Sequence, residues 1–248
     1  MDSMENKSIK TFSDNPLWNL GFNVILPVII LKKGQSYFPS VSPLYILLLA
    51  VALPLFVGLW DYLAARRKNY VSILGLANTG LTGGFAIMDV EGVWFAVKEG
   101  TLPLLLGLYV LWSLKLKKNF VESFLFQPQI FNLPLIEEKA QSLGKAEVVK
   151  RITQIGTFWF SLSFFISASL NLVLGLMIFK SIDTALPAEQ RAQVLNDQIA
   201  EMTWMGYVVI ALPLALGTGF LLWWLLKAFS KSLDLKIEEL LHSSHKAS

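Results

Sequence analysis

The chain has 248 residues, of which 54% are hydrophobic and 16% are charged. A soluble domain of this length carries more charge and interrupts its apolar runs more often, so the composition indicates a membrane protein. The sequence contains no cysteine, which excludes disulfides, iron–sulfur clusters and thiolate chemistry.

Six apolar runs approach the roughly 20 residues that a membrane-spanning helix needs. In chain order they cover residues 16–32, 43–64, 71–88, 92–114, 153–179 and 203–226. The residues before the first run are polar, and no small-residue cleavage site follows it, so we expect a retained span rather than a signal peptide. The pattern predicts an all-α polytopic membrane protein with six transmembrane helices.

Basic residues predict the orientation of these spans. On a six-span arrangement, most of the 21 lysines and arginines fall on the side that holds both termini. The basic residues on the opposite side are Lys32, Lys33, Lys180 and Arg191. Because basic loops stay in the cytoplasm, we expect both termini to be cytoplasmic. This distribution accounts for the net charge of +3, so no nucleic-acid partner is expected.

Aromatic residues near the predicted membrane boundaries agree with this orientation, because tryptophan and tyrosine favour the interface. The predicted inner anchors are Trp18, Trp60, Tyr62, Trp112, Trp223 and Trp224, and the predicted outer anchors are Tyr37, Trp94, Trp204 and Tyr207.

A leucine–proline pair with a glycine four residues after the proline occurs three times. The prolines are Pro54, Pro103 and Pro213, and a deep asparagine lies in the span before each of them: Asn23, Asn78 and Asn171. The matched depths predict three tandem helical hairpins that are parallel repeats about an axis along the membrane normal. The alternative is chance, since leucine, proline and glycine are common in membrane helices.

We therefore expect a single membrane domain, 1–248, with hairpins at 16–68, 71–118 and 153–231. Between the second and third hairpins, the segment 115–152 is predicted to be a cytoplasmic loop with a short charged helix. The tail 231–248 has leucines among lysines and glutamates, which predicts an amphipathic helix on the inner leaflet. A solvated extension of the last span is the alternative.

Lys98 and Glu99 are an adjacent ionisable pair inside a predicted span, about 9 Å below its outer end at 1.5 Å per residue. An unpaired charge at that depth costs about 2.5–3.5 kcal/mol. In one interpretation Glu99 turns inward to Asn78, Asn171 or Thr82, with Lys98 as its counter-charge, forming a site for an ion, a proton or an anionic group. In the other, Lys98 extends to the headgroups and the span begins later.

Prolines add free backbone acceptors near this depth, since a helical proline removes the hydrogen bond to the carbonyl four residues earlier. Pro54, Pro103 and Pro213 are predicted to kink their helices and to free the carbonyls of Ala50, Glu99 and Val209. The deep asparagines could face this layer as part of a solute path, or could simply join helices. Gly80 and Gly84 form a G-x-x-x-G spacing, for which we expect close helix packing.

Several kinds of chemistry find no support in the sequence. The histidines, His242 and His245, lie in the terminal tail, and H-S-S-H without further ligands is a poor metal site. No deep serine has a histidine base, and no glycine-rich phosphate loop follows a strand. We expect no catalytic residue, no metal and no cofactor, although an intramembrane enzyme working through Glu99 stays an alternative.

Five stretches of the chain resemble a bacterial inner-membrane family distantly similar to intracellular septation protein A. They are Thr82-Gly83-Gly84, Trp94 to Glu99 leading into Pro103, Phe131-Asn132-Leu133-Pro134, Ser169-Leu170-Asn171 and Val209 to Pro213. The septation protein itself is shorter and has fewer spans. The resemblance implies a multi-pass inner-membrane location and a role in envelope integrity or cell division through protein contacts.

Three functions follow as hypotheses. The first is a non-enzymatic membrane protein that contacts the bilayer and other inner-membrane or cell-division proteins, with a homo-oligomer also compatible. The second is a small transporter or channel, which predicts a central cavity lined by Glu99 and the three asparagines. The third is a lipid-binding protein, which predicts a groove that opens sideways near the inner basic clusters.

Overall fold

The structure, a computed structural model, describes residues 16–65, 70–88, 90, 92–125 and 131–241, and every regular element in these ranges is helical. The α-helices are α1 (Pro16–Leu20), α2 (Leu26–Tyr37), α3 (Pro43–Ala65), α4 (Tyr70–Ile87), α5 (Val93–Ser113), α6 (Leu133–Ser142), α7 (Ala146–Ile178), α8 (Ala188–Met205), α9 (Leu212–Leu233) and α10 (Ile237–Leu240). Wider π-helical turns are π1 (Gly21–Ile25), π2 (Val121–Leu125) and π3 (Gly206–Ala211). The predicted all-helical class is confirmed.

Among the described residues, four helices are long and apolar enough to cross a membrane. They are Pro43–Trp60 within α3, Val93–Ser113, Ala146–Ile178, and Ala188–Leu233, which runs through α8, π3 and α9. The membrane class is therefore confirmed at this level. The predicted spans 16–32 and 71–88 are also helical, but their passage across a bilayer stays a prediction.

Three residues between or directly after helices have a left-handed backbone conformation. Gly92, between α4 and α5, has φ +63°, and Gly144, between α6 and α7, has φ +62°. Both positions use the freedom of a residue without a Cβ atom. Asp234, with φ 54°, ends α9 in the same conformation, which aspartate tolerates better than most residues.

The chain divides into two compact units, and unit one comprises the described residues of Met1–Glu99 with Asn171–Ile210. Helix α8 packs against α2 and α3, and α3 packs against α4. Buried side chains of α8, among them Leu195, Ile199 and Met202, share one core with Leu31 and Leu47. Helix α8 has a polar sequence that would suit a surface loop, yet its buried side chains cover an apolar core.

An aromatic stack lies within unit one where α5 approaches the end of α7. Phe95 is fully buried, stacks on Phe179 with ring centroids 4.9 Å apart, and meets Phe85 edge-on at 5.6 Å. Beside the stack, a Cβ atom added to Gly175 would lie 2.7 Å from the Cα of Ala96. Glycine is therefore what allows the two backbones to approach this closely.

The predicted G-x-x-x-G contact is not where the sequence placed it. No described atom lies within 4 Å of a Cβ built on Gly80 or Gly84, whereas Gly83 has a side-chain atom of Val51 at 3.4 Å. The close approaches in unit one are instead at Gly175, against the backbone of Ala96, and at Gly34, against the side chain of Ile46.

Unit two comprises the described residues of Gly100–Leu170 with Ala211–Ser248. Its core contains Val121 and Ile136 from the segment between α5 and α7, and Leu225, Leu233 and Leu240 from the C-terminal part of the chain. Helix α6 packs against α9 and α10. We call this assembly of residues 119–125, 131–142 and 225–241 the loop–tail module.

The tail differs from its prediction. Helix α9 continues to Leu233, and after a turn the four-residue helix α10 follows. Leu235 and Leu240 are buried in the module core, and Asn132 donates a backbone hydrogen bond to Leu240 (2.9 Å). The leucines up to Leu240 thus pack on protein rather than presenting an amphipathic face to lipid. Residues 242–248, with both histidines, lie outside the described residues.

We predict that Gly175→Ala destabilises the protein, because its new methyl group would be forced into the backbone of Ala96. Overpacking of this kind costs about 1–3 kcal/mol, which lowers the unfolding midpoint by about 2–4 °C per kcal/mol for a chain of this size. Thermal unfolding in detergent, followed by circular dichroism, measures the shift. Gly84→Ala is the control, since its methyl group enters open space and helix propensity favours alanine. Equal midpoints for the two variants would contradict the close approach.

Candidate functional site

The ionisable pair that the sequence singled out forms a buried cluster in unit one. The ammonium of Lys98 donates to Oε1 of Glu99 at 2.6 Å and to Oγ1 of Thr82 at 2.8 Å. The hydroxyl of Thr82 donates in turn to the backbone carbonyl of Asn78 at 3.1 Å. The three contacts form one chain, in which the bond between Lys98 and Thr82 joins α5 to α4.

Burial distinguishes the two charged groups. The side chain of Lys98 is 3% exposed and that of Glu99 is 17% exposed. The Lys98 ammonium also lies 5.8 Å from the ring centroid of Phe95, within the range of a cation–π contact. Lys98 is thus the inward group, and Glu99 neutralises it from the side nearer the surface.

In this geometry the Lys98 side chain is buried, and its ammonium has Glu99 and Thr82 as partners. The contact with Thr82 that was predicted for Glu99 is made by Lys98. A site for an ion, a proton or an anionic group stays a prediction. The lysine side chain is long enough for its ammonium to contact both the next residue on α5 and Thr82 on α4. The shorter carboxylate of Glu99 does not bridge the two helices here.

The three predicted asparagines lie in unit one, and each is half-buried. Asn78 joins the Lys98 cluster through its backbone carbonyl. Asn23 lies in π1 and Asn171 lies in α7. A shared depth for the three, and a path between them, stay predictions.

The three predicted prolines occupy two kinds of position. Pro54 and Pro103 lie inside α3 and α5. Pro213 is instead the second residue of α9, directly after π3. Pro27 has the same position in α2 after π1. A π turn widens the helix by one residue, so these two prolines follow segments where the regular hydrogen-bond ladder is already interrupted.

A second polar network, which the sequence analysis missed, lies in unit two. Asn119 donates to Oε1 of Glu122 at 3.0 Å and to Oγ1 of Thr153 at 2.8 Å. Its own Oδ1 accepts from the hydroxyl of Thr157 at 2.9 Å. Asn119, Thr153 and Thr157 are 4% exposed or less. The network fixes the segment after α5 onto α7.

A sequence signal for this network was present. The backbone amide of Glu122 donates to Asn119 Oδ1, and the backbone amide of Asn119 donates to Glu122 Oε2, at 3.1 and 3.2 Å. This reciprocal pair is a capping box, and its asparagine–x–x–glutamate spacing is readable from sequence. Thr153 and Thr157, four residues apart, predict one helix face.

Among the described residues, no three histidine, aspartate or glutamate side chains converge as a metal-binding set. Comparison with known proteins found no matching family model, no matching curated protein and no matching solved structure. The function must therefore be argued from the geometry.

We predict that the Lys98 cluster is energetically coupled. Glu99→Gln leaves a buried ammonium without its counter-charge, and breaking a buried pair in this way costs about 3–5 kcal/mol. In Lys98→Met/Glu99→Gln that charge is gone, so the double variant should be more stable than Glu99→Gln alone. A double-mutant cycle of unfolding midpoints in detergent, with Lys98→Met as the fourth corner, measures the coupling. Additive effects would contradict a closed ion pair.

Proposed function

We propose that the chain is a non-enzymatic integral protein of the bacterial inner membrane that acts through contacts with other membrane proteins. In this proposal it crosses the bilayer six times as three like-oriented hairpins, with both termini in the cytoplasm. The resemblance of five stretches of the sequence to a septation-related family favours a role in envelope or division processes.

The loop–tail module is the observation that carries the proposal. A connection between spans needs only to be polar and flexible, yet this one has its own apolar core and a capped helix, with Asn132 Oδ1 accepting from the amide of Leu135 at 3.4 Å. Lys145 further ties it to the end of α9 through the carbonyl of Ser232 at 2.8 Å. Such a module offers a fixed surface for a partner.

The surface of the module is mixed in character. Glu137, Glu138 and Gln141 of α6 are exposed, and Leu143 beside them is 46% exposed. An accessible leucine beside charged residues is compatible with the polar rim of a non-obligate protein interface. On the charge distribution of the chain, this surface faces the cytoplasm.

The Lys98 cluster supports the contact function over the transport alternative. A solute site needs groups that are open to the solute, whereas the Lys98 ammonium is already bound by Glu99 and Thr82. A neutralised and buried pair holds two helices together at the least cost in lipid. The transporter alternative requires this pair to open.

Site-specific photo-crosslinking in native membranes tests the proposal. A photoreactive residue at Glu138, on the module, is expected to give a discrete adduct with a protein partner. The same residue at Glu189, exposed on α8, should not give that adduct. Leu240→Ala should weaken the Glu138 adduct, because deleting a fully buried leucine side chain costs about 2–5 kcal/mol.

A flux assay gives the result that would contradict the contact function. If Glu138 gives no adduct, and proteoliposomes show a solute or ion flux that the more stable double variant Lys98→Met/Glu99→Gln abolishes, the contact function is wrong and the transporter alternative is supported.

A further inference from the structure

A groove of about 460 Å³ lies between α7 and α9 in unit two. Its lining residues are Trp159, Leu162, Ser163, Ile166, Gly217, Thr218, Phe220, Leu221 and Trp224. The walls are almost wholly apolar, with the hydroxyls of Ser163 and Thr218 as exceptions. On each helix the lining covers seven residue steps, about 10 Å of helix length, so the groove is elongated along the helices.

Contacts within unit two define the two ends of the groove. A Cβ atom on Gly156 would lie 2.8 Å from Leu225, so these residues of α7 and α9 are level with each other. Because α7 and α9 run in opposite directions from this point, Trp159 and Trp224 lie at one end of the groove and Ile166 and Gly217 at the other. The tryptophan end is the end nearer the lysines of α9.

Two lysines of α9 lie beyond the tryptophan end of the groove. Lys227 and Lys231 follow Trp224 at spacings of three and seven residues, which places them on the same face of α9. Both are exposed. The Lys227 ammonium stands 4.5 Å from the ring centroid of Trp223. Trp223 does not line the groove, but its ring centroid lies 5.6 Å from that of Phe220, which does. An apolar groove with cations at one end is complementary to a lipid with an anionic headgroup.

We propose that this groove holds one acyl chain of an anionic glycerophospholipid, with its phosphate at Lys227 and Lys231. An acyl chain that enters the groove leaves other lipid chains rather than water, so it gains van der Waals packing against the groove walls and no hydrophobic transfer energy. The groove therefore fixes the position of the chain, and attraction of the lysines for the phosphate supplies the preference for anionic lipid. This site is independent of the contact function proposed above.

Gly217 offers a direct way to fill the groove. No described atom lies within 4 Å of a Cβ built at Gly217 or at Gly219, so both positions accept a larger side chain without a clash at Cβ. Gly217 lines the groove, whereas Gly219 is absent from the lining residues. Gly217→Phe and Gly219→Phe therefore form a matched pair on one helix.

Native mass spectrometry of delipidated protein, titrated with phosphatidylglycerol or phosphatidylcholine of identical chains, tests the proposal. The unaltered protein should bind one phosphatidylglycerol more tightly than further copies. Gly217→Phe should lose at least tenfold in affinity for both lipids, while Gly219→Phe should match the unaltered protein. Lys227→Gln/Lys231→Gln should bind both lipids equally, losing a preference of order tenfold at about 1 kcal/mol per lysine.

The result that overturns the proposal is equal lipid binding by Gly217→Phe and Gly219→Phe at unchanged unfolding midpoints. A dimer that Gly217→Phe dissociates, with its lipid adducts unaltered, would also overturn it, because the groove would then hold a second copy of the chain.

Discussion

The architecture depends on one constraint: a polar group at membrane depth must find its partner inside the protein, since no water is there to supply one. Lys98 meets this constraint by binding Glu99 on its own helix and Thr82 on α4. The resulting cluster is neutral and links two helices, so a residue that would oppose insertion becomes one that stabilises packing. Outside the candidate spans, Asn119 and Glu122 of unit two likewise find their partners within the protein, since they bond to one another and to the hydroxyls of α7.

Much of the fold could be predicted because apolar run length alone fixes where helices can form. Helices occupy all six predicted span positions, and the pair Lys98–Glu99 with Thr82 was named from its position. The roles within the pair could not be assigned, because they depend on the register of α4 against α5. The tail was misplaced for a related reason: leucines among charged residues suit lipid and a protein core equally well, and only tertiary contacts separate the two.

The repeated leucine–proline pattern shows that a sequence repeat does not by itself predict how its residues pack. Its glycines have different surroundings, since a Cβ on Gly107 would lie 3.1 Å from Phe165 whereas Gly217 borders an open groove. Gly107 thus lies at a close helix–helix contact, whereas Gly217 lies at an open groove. Leu26–Pro27, outside the predicted triplet, shares with Leu212–Pro213 a preceding π turn. Similar short sequences thus have different packing environments. The repeat of three hairpins stays a prediction.

The central proposal is that the chain crosses the bilayer six times and that the Lys98 cluster of unit one is closed to water. Single-cysteine labelling tests it most directly. The natural sequence has no cysteine, so Ser40→Cys, Thr82→Cys and Ser142→Cys each introduce one thiol into a silent background. With a membrane-impermeant maleimide, Ser40→Cys should react in intact cells, Ser142→Cys only after the cells are opened, and Thr82→Cys only after denaturation. Reaction of Thr82→Cys in the native membrane, or of Ser40→Cys and Ser142→Cys from the same side, would contradict the account.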